Sequence, residues 1–326
     1  MLTYLQAIVI ALVQGVTELF PVSSLGHSVL VPAWIGGEWE TLVTQSSQAS
    51  SEASFYLAFI VALHVATALA LLVFFRADWV RIVSGFLRSA RRSIKERRLS
   101  ATDPDERLAW LIIFATIPVG ITGLAFEHVF RTVFAKPVAA SAFLFVNGLI
   151  LLAGERLRRR AKAEATAADS GAGVAALSHR ASGSRSSREV GEAYASDARI
   201  SRMPYGDGVA IGTLQILALF AGISRSGVTM VGGLWKGLSH EDAARFAFLL
   251  ATPVILAAGV LKVPSLFGSA GEHIHGQVAV GFVVCGLAAY VSVRVLVRYF
   301  ETHTLTPFAI YCLAAGGISL IRFAAF

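Results

Sequence analysis

The chain has 326 residues, of which 55% are hydrophobic and 15% are charged, and its formal net charge is +7. Soluble domains carry about 25% charged residues, so a chain this apolar lacks the polar surface that water on all sides would require. The two cysteines lie in apolar runs, which excludes a disulfide framework and a cysteine-based zinc site. The positive charge is concentrated between apolar runs, which argues against a nucleic acid as partner and predicts an integral membrane protein.

The first apolar segment, about residues 2–31, is interrupted in its middle. Gln14 and Glu18 lie in it, and Pro21 follows. No Lys or Arg precedes Arg76, whereas a signal peptide needs a basic start. We therefore expect this segment to remain in the mature protein.

Six plainer apolar runs follow, each near the roughly 20 residues that a helix needs to cross hydrocarbon. They cover about residues 55–75, 108–126, 138–153, 243–261, 277–297 and 305–326. A further segment, about 208–240, is apolar but is broken between Gly222 and Thr229 by glycines, hydroxyls and an arginine. The pattern predicts an all-α polytopic membrane protein.

The positive charges predict its orientation. Arg76–Arg107 contains nine Lys and Arg residues, and Arg156–Arg202 contains ten. Two predicted spans separate these stretches, so both lie on the same side, which the positive-inside rule makes cytoplasmic. Residues 32–54 contain three glutamates and no Lys or Arg, as an external loop can.

A basic stretch, residues 155–206, connects the two halves of the chain. Residues 161–201 within it are rich in Ala, Ser, Gly and Arg and show neither helical nor strand periodicity. We predict a flexible cytoplasmic linker. Binding of anionic lipid headgroups is the alternative role for its positive charge.

The two interrupted segments align when the chain is shifted by 201 residues. The matching pairs are Gln14 with Gln215, Ser23 with Ser224, Gly26 with Gly227 and Ser28 with Thr229. Three plain spans follow each segment, and an odd number of crossings in each half predicts opposite orientations. We predict an inverted repeat, residues 1–154 and 207–326, with two re-entrant helix hairpins whose tips meet near the midplane.

The first predicted tip carries several chemically capable side chains. Gln14 and Glu18 are four residues apart and share a helix face. Ser23 and Ser24 lie where the second short helix begins, and the free N–H groups of a helix start suit phosphate oxygens. Glu18 is a candidate cation ligand, proton acceptor or partner of a buried arginine. His27 is a candidate acid, base or nucleophile, with a packing role as the alternative.

The second predicted tip offers the hydroxyls of Ser224, Ser226 and Thr229 around Arg225. An arginine deep in an apolar segment needs an anionic partner. Its planar guanidinium fits phosphate through two parallel hydrogen bonds, and a buried ion pair with Glu18 is the alternative. His64 lies alone in a plain span, and we expect it to be a packed polar residue.

At these two tips the sequence resembles the undecaprenyl-diphosphate phosphatase family associated with bacitracin resistance. The resemblance rests on TELFPVSSLGH (Thr17–His27) and GISRSGVT (Gly222–Thr229). IIFATIPVGITGL (Ile112–Leu124) and AARFAFLLATPVILAAG (Ala243–Gly259) support it. It extends over the chain except residues 161–201.

The resemblance implies an enzyme of the bacterial inner membrane that hydrolyses undecaprenyl diphosphate to undecaprenyl phosphate and inorganic phosphate, recycling the lipid carrier for cell-wall polymers. It further implies a divalent cation (Mg²⁺ or Ca²⁺), a homodimer and a pocket that opens to the external side. The predicted catalytic residues are Glu18, Ser24, His27 and Arg225, and the predicted cation ligands are Glu18 and Gln14. The predicted substrate-binding residues are Ser23, Gly222, Ser224, Ser226, Gly227 and Thr229.

The sequence departs from the family pattern at two positions. Gln14 stands where the family usually has a glutamate, and an amide oxygen can bind a cation but carries no charge. Ala221 stands where the family usually has a proline. Two other functions remain open on the residues alone. They are a polyprenyl-phosphate transporter or flippase, because inverted repeats with broken segments are a transporter architecture, and a non-catalytic membrane scaffold.

Overall fold

The computed structural model describes residues 2–42, 55–133, 136–169, 185–262 and 274–325. Across these ranges the regular structure is α-helical apart from one short 3-10 helix, and they contain no β-strand. The predicted all-α class is therefore confirmed. Parts of two predicted loops (43–54 of the external loop and 170–184 of the linker) and Phe326 lie outside the described residues.

The helices are numbered here in chain order. In the first half they are α1 (Tyr4–Thr17), α2 (Ser24–Ile35), α3 (Phe55–Phe74), α4 (Arg76–Glu96), α5 (Pro104–Val133) and α6 (Pro137–Asp169). In the second half they are α7 (Arg185–Ser201), α8 (Tyr205–Leu214), the 3-10 helix Gln215–Leu219, α9 (Arg225–Trp235), α10 (His240–Lys262), α11 (His275–Thr302) and α12 (Thr306–Ala325).

Five helices among the described residues are long and apolar enough to cross a membrane. They are Pro104–Phe126, Pro137–Arg160, His240–Gly259, His275–Thr302 and Thr306–Ala325. A sixth candidate is the pair Ala58–Phe74 and Arg76–Glu96, which meets the same criteria only when taken together and is bent by 86°. These helices coincide with the six predicted plain spans to within a few residues at most ends, and α6 continues well beyond its predicted span.

Both interrupted segments fold as two short helices joined by a turn. In the first, Thr3 caps α1 in a capping box with Gln6, and Pro21 lies in the turn before α2. In the second, the 3-10 helix continues α8 and an extended residue, Phe220, ends it. Proline and extended backbone both interrupt the helical hydrogen-bond pattern, which is why each segment turns instead of crossing as one helix.

Packing between the two halves is reciprocal. Helix α1 of the first hairpin packs against α11, and α8 of the second hairpin packs against α5. Helices α5 and α11 are each the second plain span after a hairpin. The matching contacts α3 with α10 and α6 with α12 join the halves further. This reciprocity agrees with a repeated architecture, and the opposite orientation of the halves stays a prediction.

At one end of the bundle, charged side chains join α4, α5, α7 and α10. Arg81 donates to Asp105 at 2.8 Å and to Asp197 at 2.6 Å, and Arg245 donates to Asp197 at 2.7 Å. Arg81 belongs to the first basic stretch and Asp197 to the second. The two stretches therefore meet at the same end of the bundle.

Residues 185–201 differ from the predicted flexible linker. They form α7, in which Ser196, Asp197 and Ile200 are buried, and α6 continues to Asp169. The buried positions, which also include Ser201, have helical spacing, but three of these four side chains are polar, so no apolar periodicity marks them. Contacts with distant residues, including the two arginines on Asp197, stabilise this helix.

Candidate active site

The turns of the two hairpins lie side by side in the interior. The Gly222 N–H donates to Ser23 Oγ at 3.1 Å. Asn147 of α6 bridges the turns, because its Nδ2 donates to the Pro21 carbonyl at 3.0 Å and its Oδ1 accepts from the Ser224 N–H at 3.0 Å. Its exposed fraction is 0%. The two tips thus contact each other, as predicted, and hydrogen bonds join them.

Backbone conformation at the turns is unusual. Gly222 has φ +114°, and a Cβ there would lie 2.4 Å from the Ala140 carbonyl oxygen, so only glycine fits. Ser23 has φ +70°, a region that non-glycine residues rarely adopt. Its side chain accepts hydrogen bonds from Gly26 N–H at 3.2 Å and from Gly222 N–H. These contacts hold the strained residue in place.

The Glu18 carboxylate is the centre of the polar contacts. Arg225 Nη2 donates to Glu18 Oε1 at 2.5 Å. Gln14 Nε2 donates to Glu18 Oε2 at 2.9 Å, and the Ser24 hydroxyl donates to the same oxygen. Three predicted site residues from the two hairpins, Gln14, Ser24 and Arg225, therefore donate to a single buried carboxylate, that of Glu18. The arginine–glutamate ion pair, an open alternative from the sequence, is present.

A cavity of about 250 Å³ borders this cluster. Its polar lining consists of Glu18, Ser23, Ser24, His64, Gln215, Ser224 and Arg225. Its apolar lining comes from α2, α3, α5, α10 and the second hairpin, and it includes Val61, Val119, Leu219 and Ile255. A cavity lined by both polar and apolar side chains suits an amphipathic ligand with an anionic head.

His64 corrects the expectation of a merely packed polar residue. Its Nε2 lies 3.4 Å from Glu18 Oε2, and its side chain lines the cavity with 27% exposed. Its Nδ1 lies 2.8 Å from the Ile60 carbonyl oxygen. Both ring nitrogens thus face oxygen atoms. Its sequence neighbours are apolar, so only the tertiary structure associates it with the site.

His27 lies one helical turn beyond Ser24 and is not among the cavity-lining residues. Its Nδ1 lies 2.7 Å from the Ser23 carbonyl oxygen, and its Nε2 lies 2.7 Å from Tyr311 Oη. A carbonyl oxygen only accepts, so Nδ1 carries the proton and Nε2 accepts from the tyrosine. A catalytic role for His27 stays a prediction.

The other predicted substrate-binding residues support the second turn. Ser224 Oγ accepts from the Gly227 N–H at 3.2 Å, and the Ser226 hydroxyl donates to the Phe20 carbonyl at 3.3 Å. The Thr229 hydroxyl donates to the carbonyl of Arg225 within the same helix at 2.8 Å. Of the three hydroxyl-bearing residues, Ser224 alone lines the cavity.

The fold and the site together define a polytopic α-helical membrane protein with a buried acid–arginine cluster between two broken hairpins. The sequence model of the family described as "Bacitracin resistance protein BacA" matches residues 7–318. The chain belongs to this family, and the predicted resemblance is confirmed.

Relatives match along nearly their entire length. "Undecaprenyl-diphosphatase 2" of Frankia alni is 55% identical over 99% of this chain and 98% of its own length. "Undecaprenyl-diphosphatase" of Mycolicibacterium paratuberculosis is 56% identical over 98% of this chain and 97% of its own length. A relative in Chromobacterium violaceum, "Undecaprenyl-diphosphatase 2", is 38% identical over 97% of this chain.

Proposed function

We propose that this protein is a membrane phosphatase that hydrolyses undecaprenyl diphosphate to undecaprenyl phosphate and inorganic phosphate. The names of relatives that match nearly the whole chain support this activity. The observation that carries the proposal is the contact of both Ser24 and Arg225 with Glu18, beside a cavity with apolar walls. A scaffold protein has no need for such a cluster in the membrane interior.

The cluster can bind the diphosphate head group of the lipid. Arg225 uses Nη2 for Glu18, whereas its Nη1 is buried and has no hydrogen-bond partner among the described residues. A guanidinium N–H forms strong hydrogen bonds with phosphate oxygens. The apolar walls of the cavity suit the first isoprene units of the lipid. Binding thus combines one charged contact with burial of apolar surface.

Ser24 is the nucleophile that this geometry favours, because its hydroxyl already donates to a carboxylate that can accept the proton. Ser24 Oγ attacks the terminal phosphorus, its proton passes to Glu18, and the bond to undecaprenyl phosphate breaks. Water then attacks the phosphoserine. The proton on Glu18 returns to Ser24 Oγ, and the proton of water leaves with inorganic phosphate. Arg225 stabilises the negative charge throughout.

Phosphate release from undecaprenyl diphosphate by the purified protein in detergent tests the proposal. We expect Ser24→Ala and Glu18→Gln to lower kcat by roughly 10²-fold or more. Ser141→Ala is the matched control, because its hydroxyl bonds only within α6. Wild-type protein that binds the lipid without releasing phosphate would contradict the proposal and favour a polyprenyl-phosphate transporter.

The divalent cation implied by the family remains part of the proposal. The described residues contain no group of three or more His, Cys, Asp or Glu suited to a metal ion. However, Gln14 Oε1 is buried without a hydrogen-bond partner, next to the Glu18 carboxylate. Mg²⁺ often binds through one carboxylate and substrate phosphates, so these two residues fit a cation held partly by the diphosphate. The cation would neutralise phosphate charge. We expect Gln14→Glu to lower the Mg²⁺ concentration needed for half-maximal activity.

We also propose that the protein lies in the bacterial inner membrane with its basic loops in the cytoplasm and its cavity open to the external side. The excess of Lys and Arg in residues 76–107 and 156–202 supports this orientation. Cysteine introduced at exposed Arg97 should resist a membrane-impermeant maleimide in intact cells. Cysteine at exposed Glu38 should react. The reverse pattern would contradict the orientation.

A homodimer is the remaining part of the proposal, and the family resemblance supports it. Native mass spectrometry from detergent measures the oligomeric state directly. We expect a mass twice that of the chain, and a single-chain mass at all detergent concentrations would contradict it.

A further inference from the structure

Gln215 is a buried polar residue without an assigned role. It begins the 3-10 helix Gln215–Leu219 of the second hairpin and lines the cavity. Its exposed fraction is 1%, and neither Nε2 nor Oε1 has a hydrogen-bond partner among the described residues. Buried amides are ordinarily hydrogen-bonded at both atoms, so an amide with neither bond in a cavity wall is available to a ligand.

The equivalent residue of the first hairpin shows what is missing. Gln14 matches Gln215 in the repeat, and its Nε2 donates to Glu18 four residues later. Four residues after Gln215 the chain has Leu219, which also lines the cavity. The second hairpin therefore keeps the amide and lacks the carboxylate that would satisfy it.

A second unsatisfied donor belongs to another residue of the same cavity lining. Arg225 Nη1 is buried without a partner within the described part of the chain, and Arg225 lines the cavity with Gln215. A guanidinium N–H and an amide N–H both donate, so a ligand with several acceptor oxygens satisfies both. A diphosphate is such a ligand, and its burial beside two N–H donors removes the cost of leaving them unpaired.

We propose that Gln215 is a substrate-binding residue whose Nε2 donates to an oxygen of the diphosphate that Arg225 also binds. This inference rests on the proposed phosphatase function for the identity of the lipid. It requires only that the cavity bind a diphosphate group.

The test is Gln215→Met, which keeps the side-chain length and removes both hydrogen-bonding atoms. We expect kcat/KM for undecaprenyl diphosphate to fall about ten- to a hundredfold, mainly through KM, because a hydrogen bond to a charged ligand is lost. The melting temperature of the ligand-free variant should be equal to or above that of the wild type, because a buried unpaired amide has been removed. A purely structural role would lower it.

Gln277→Met is the matched control. Gln277 Nε2 donates to the Leu2 carbonyl at 3.1 Å, away from the cavity-lining residues. We expect this variant to melt at a lower temperature and to keep the wild-type kcat/KM. Gln215→Met should therefore lower kcat/KM without lowering the melting temperature, whereas Gln277→Met should lower the melting temperature without changing kcat/KM. Unchanged kcat/KM in Gln215→Met would overturn the inference.

Inorganic diphosphate separates this inference from the proposed function. We expect it to raise the melting temperature of the wild-type protein and to raise that of Gln215→Met much less. If the wild type shows this difference but hydrolyses no lipid diphosphate, the proposed function fails and the Gln215 assignment stands. Equal stabilisation of both proteins, or no stabilisation of the wild type, would overturn the assignment.

Discussion

The two hairpins have the same helix-capping arrangement but carry different reactive side chains. Ser23 caps α2 by accepting from the Gly26 N–H at 3.2 Å, and Ser224 caps α9 by accepting from the Gly227 N–H at the same distance. Both serines satisfy an N–H at the helix start that has no intrahelical partner. Equivalent side chains therefore place the first turns of α2 and α9 at the same site.

The first helical residues are Ser24 and Arg225, which are equivalent in the repeat, and both bind Glu18. The first hairpin contributes the carboxylate, and the second has Leu219 at that position. The site thus forms because two hairpins of similar backbone structure carry different side chains at equivalent positions. Substitutions that remove one shared or differing feature of the hairpins at a time test this comparison, and the first has the largest expected effect.

Arg225→Met should nearly abolish activity. The variant removes the cation from the second hairpin, and arginine contacts to transferred phosphoryl groups are worth roughly 10³-fold or more in rate. Phosphate release under saturating lipid measures the effect. Activity within tenfold of wild type would show that the arginine serves only as an ion-pair partner of Glu18.

The same variant leaves Glu18 without its closest positive partner. Breaking a buried ion pair on one side costs about 3–5 kcal/mol. The double variant Glu18→Gln/Arg225→Met should recover most of this stability and remain inactive. Thermal unfolding in detergent compares the two. A double variant less stable than Arg225→Met would contradict the coupling between the hairpins.

Asn147→Leu tests the bridge between the turns. It leaves the Ser224 N–H and the Pro21 carbonyl unpaired in the interior, and each such group costs about 1–3 kcal/mol. We expect a loss of about 2–4 kcal/mol and a clear fall in kcat, because both tips lose their common anchor. Ser141→Ala in the same helix serves as the control. Equal stability of the two variants would show that the bridge does not hold the turns.

Gly222→Ala tests the difference in backbone conformation between the turns. A positive φ and the 2.4 Å approach to the Ala140 carbonyl oxygen should cost about 2–3 kcal/mol. Gly227→Ala is the matched control in the same hairpin. Its Cβ would lie 3.1 Å from the end of the Leu151 side chain, 3.2 Å from Ser224 Cβ and 3.4 Å from Pro21 Cβ, which is tight but far less so than at Gly222. Gly227 also lacks the positive φ of Gly222. If Gly227→Ala proved the more damaging, the conformational argument would be wrong.

Lys236→Gln should have the smallest effect. Lys236 Nζ lies 2.7 Å from Asp207 Oδ1 at the base of the second hairpin, and both side chains are 33% exposed. The first hairpin has Ile35 and Gln6 at these positions, so this hairpin shape forms without the ion pair. Exposed pairs contribute less than about 1 kcal/mol. A larger change in the melting temperature, insensitive to salt, would contradict this.

Local sequence was sufficient to predict the membrane helices and the two interruptions. Apolar runs near 20 residues predict spans because the thickness of hydrocarbon sets their length. Pro21 and Gly222 mark the turns because one cannot continue a helix and the other permits positive φ. The alignment of Ser23 with Ser224 predicted equivalent tips, and the hydrogen-bonded caps agree with it.

Residues 185–201 show where local pattern failed. The buried face of α7 contains Ser196 and Asp197, so the sequence there resembles an exposed segment. Arg81 and Arg245 make that face stable, and they lie more than 45 residues away along the chain. A helix face with polar side chains can be buried when charged residues distant in sequence pair with those side chains. Such pairing produces no local periodicity in the sequence.

The amino-acid sequence by itself determined the class of protein, the order of its spans and the residues at the two tips. It did so because hydrophobicity and backbone geometry are properties of neighbouring residues, and because the repeat is visible when the two halves of the sequence are aligned. The tertiary structure alone decided that His64, Asn147 and Gln215 belong to the site and that His27 lies beside Tyr311. His64, Asn147 and Gln215 lie in apolar runs, whereas His27 follows two serines. For each of them the surroundings depend on which helix packs opposite.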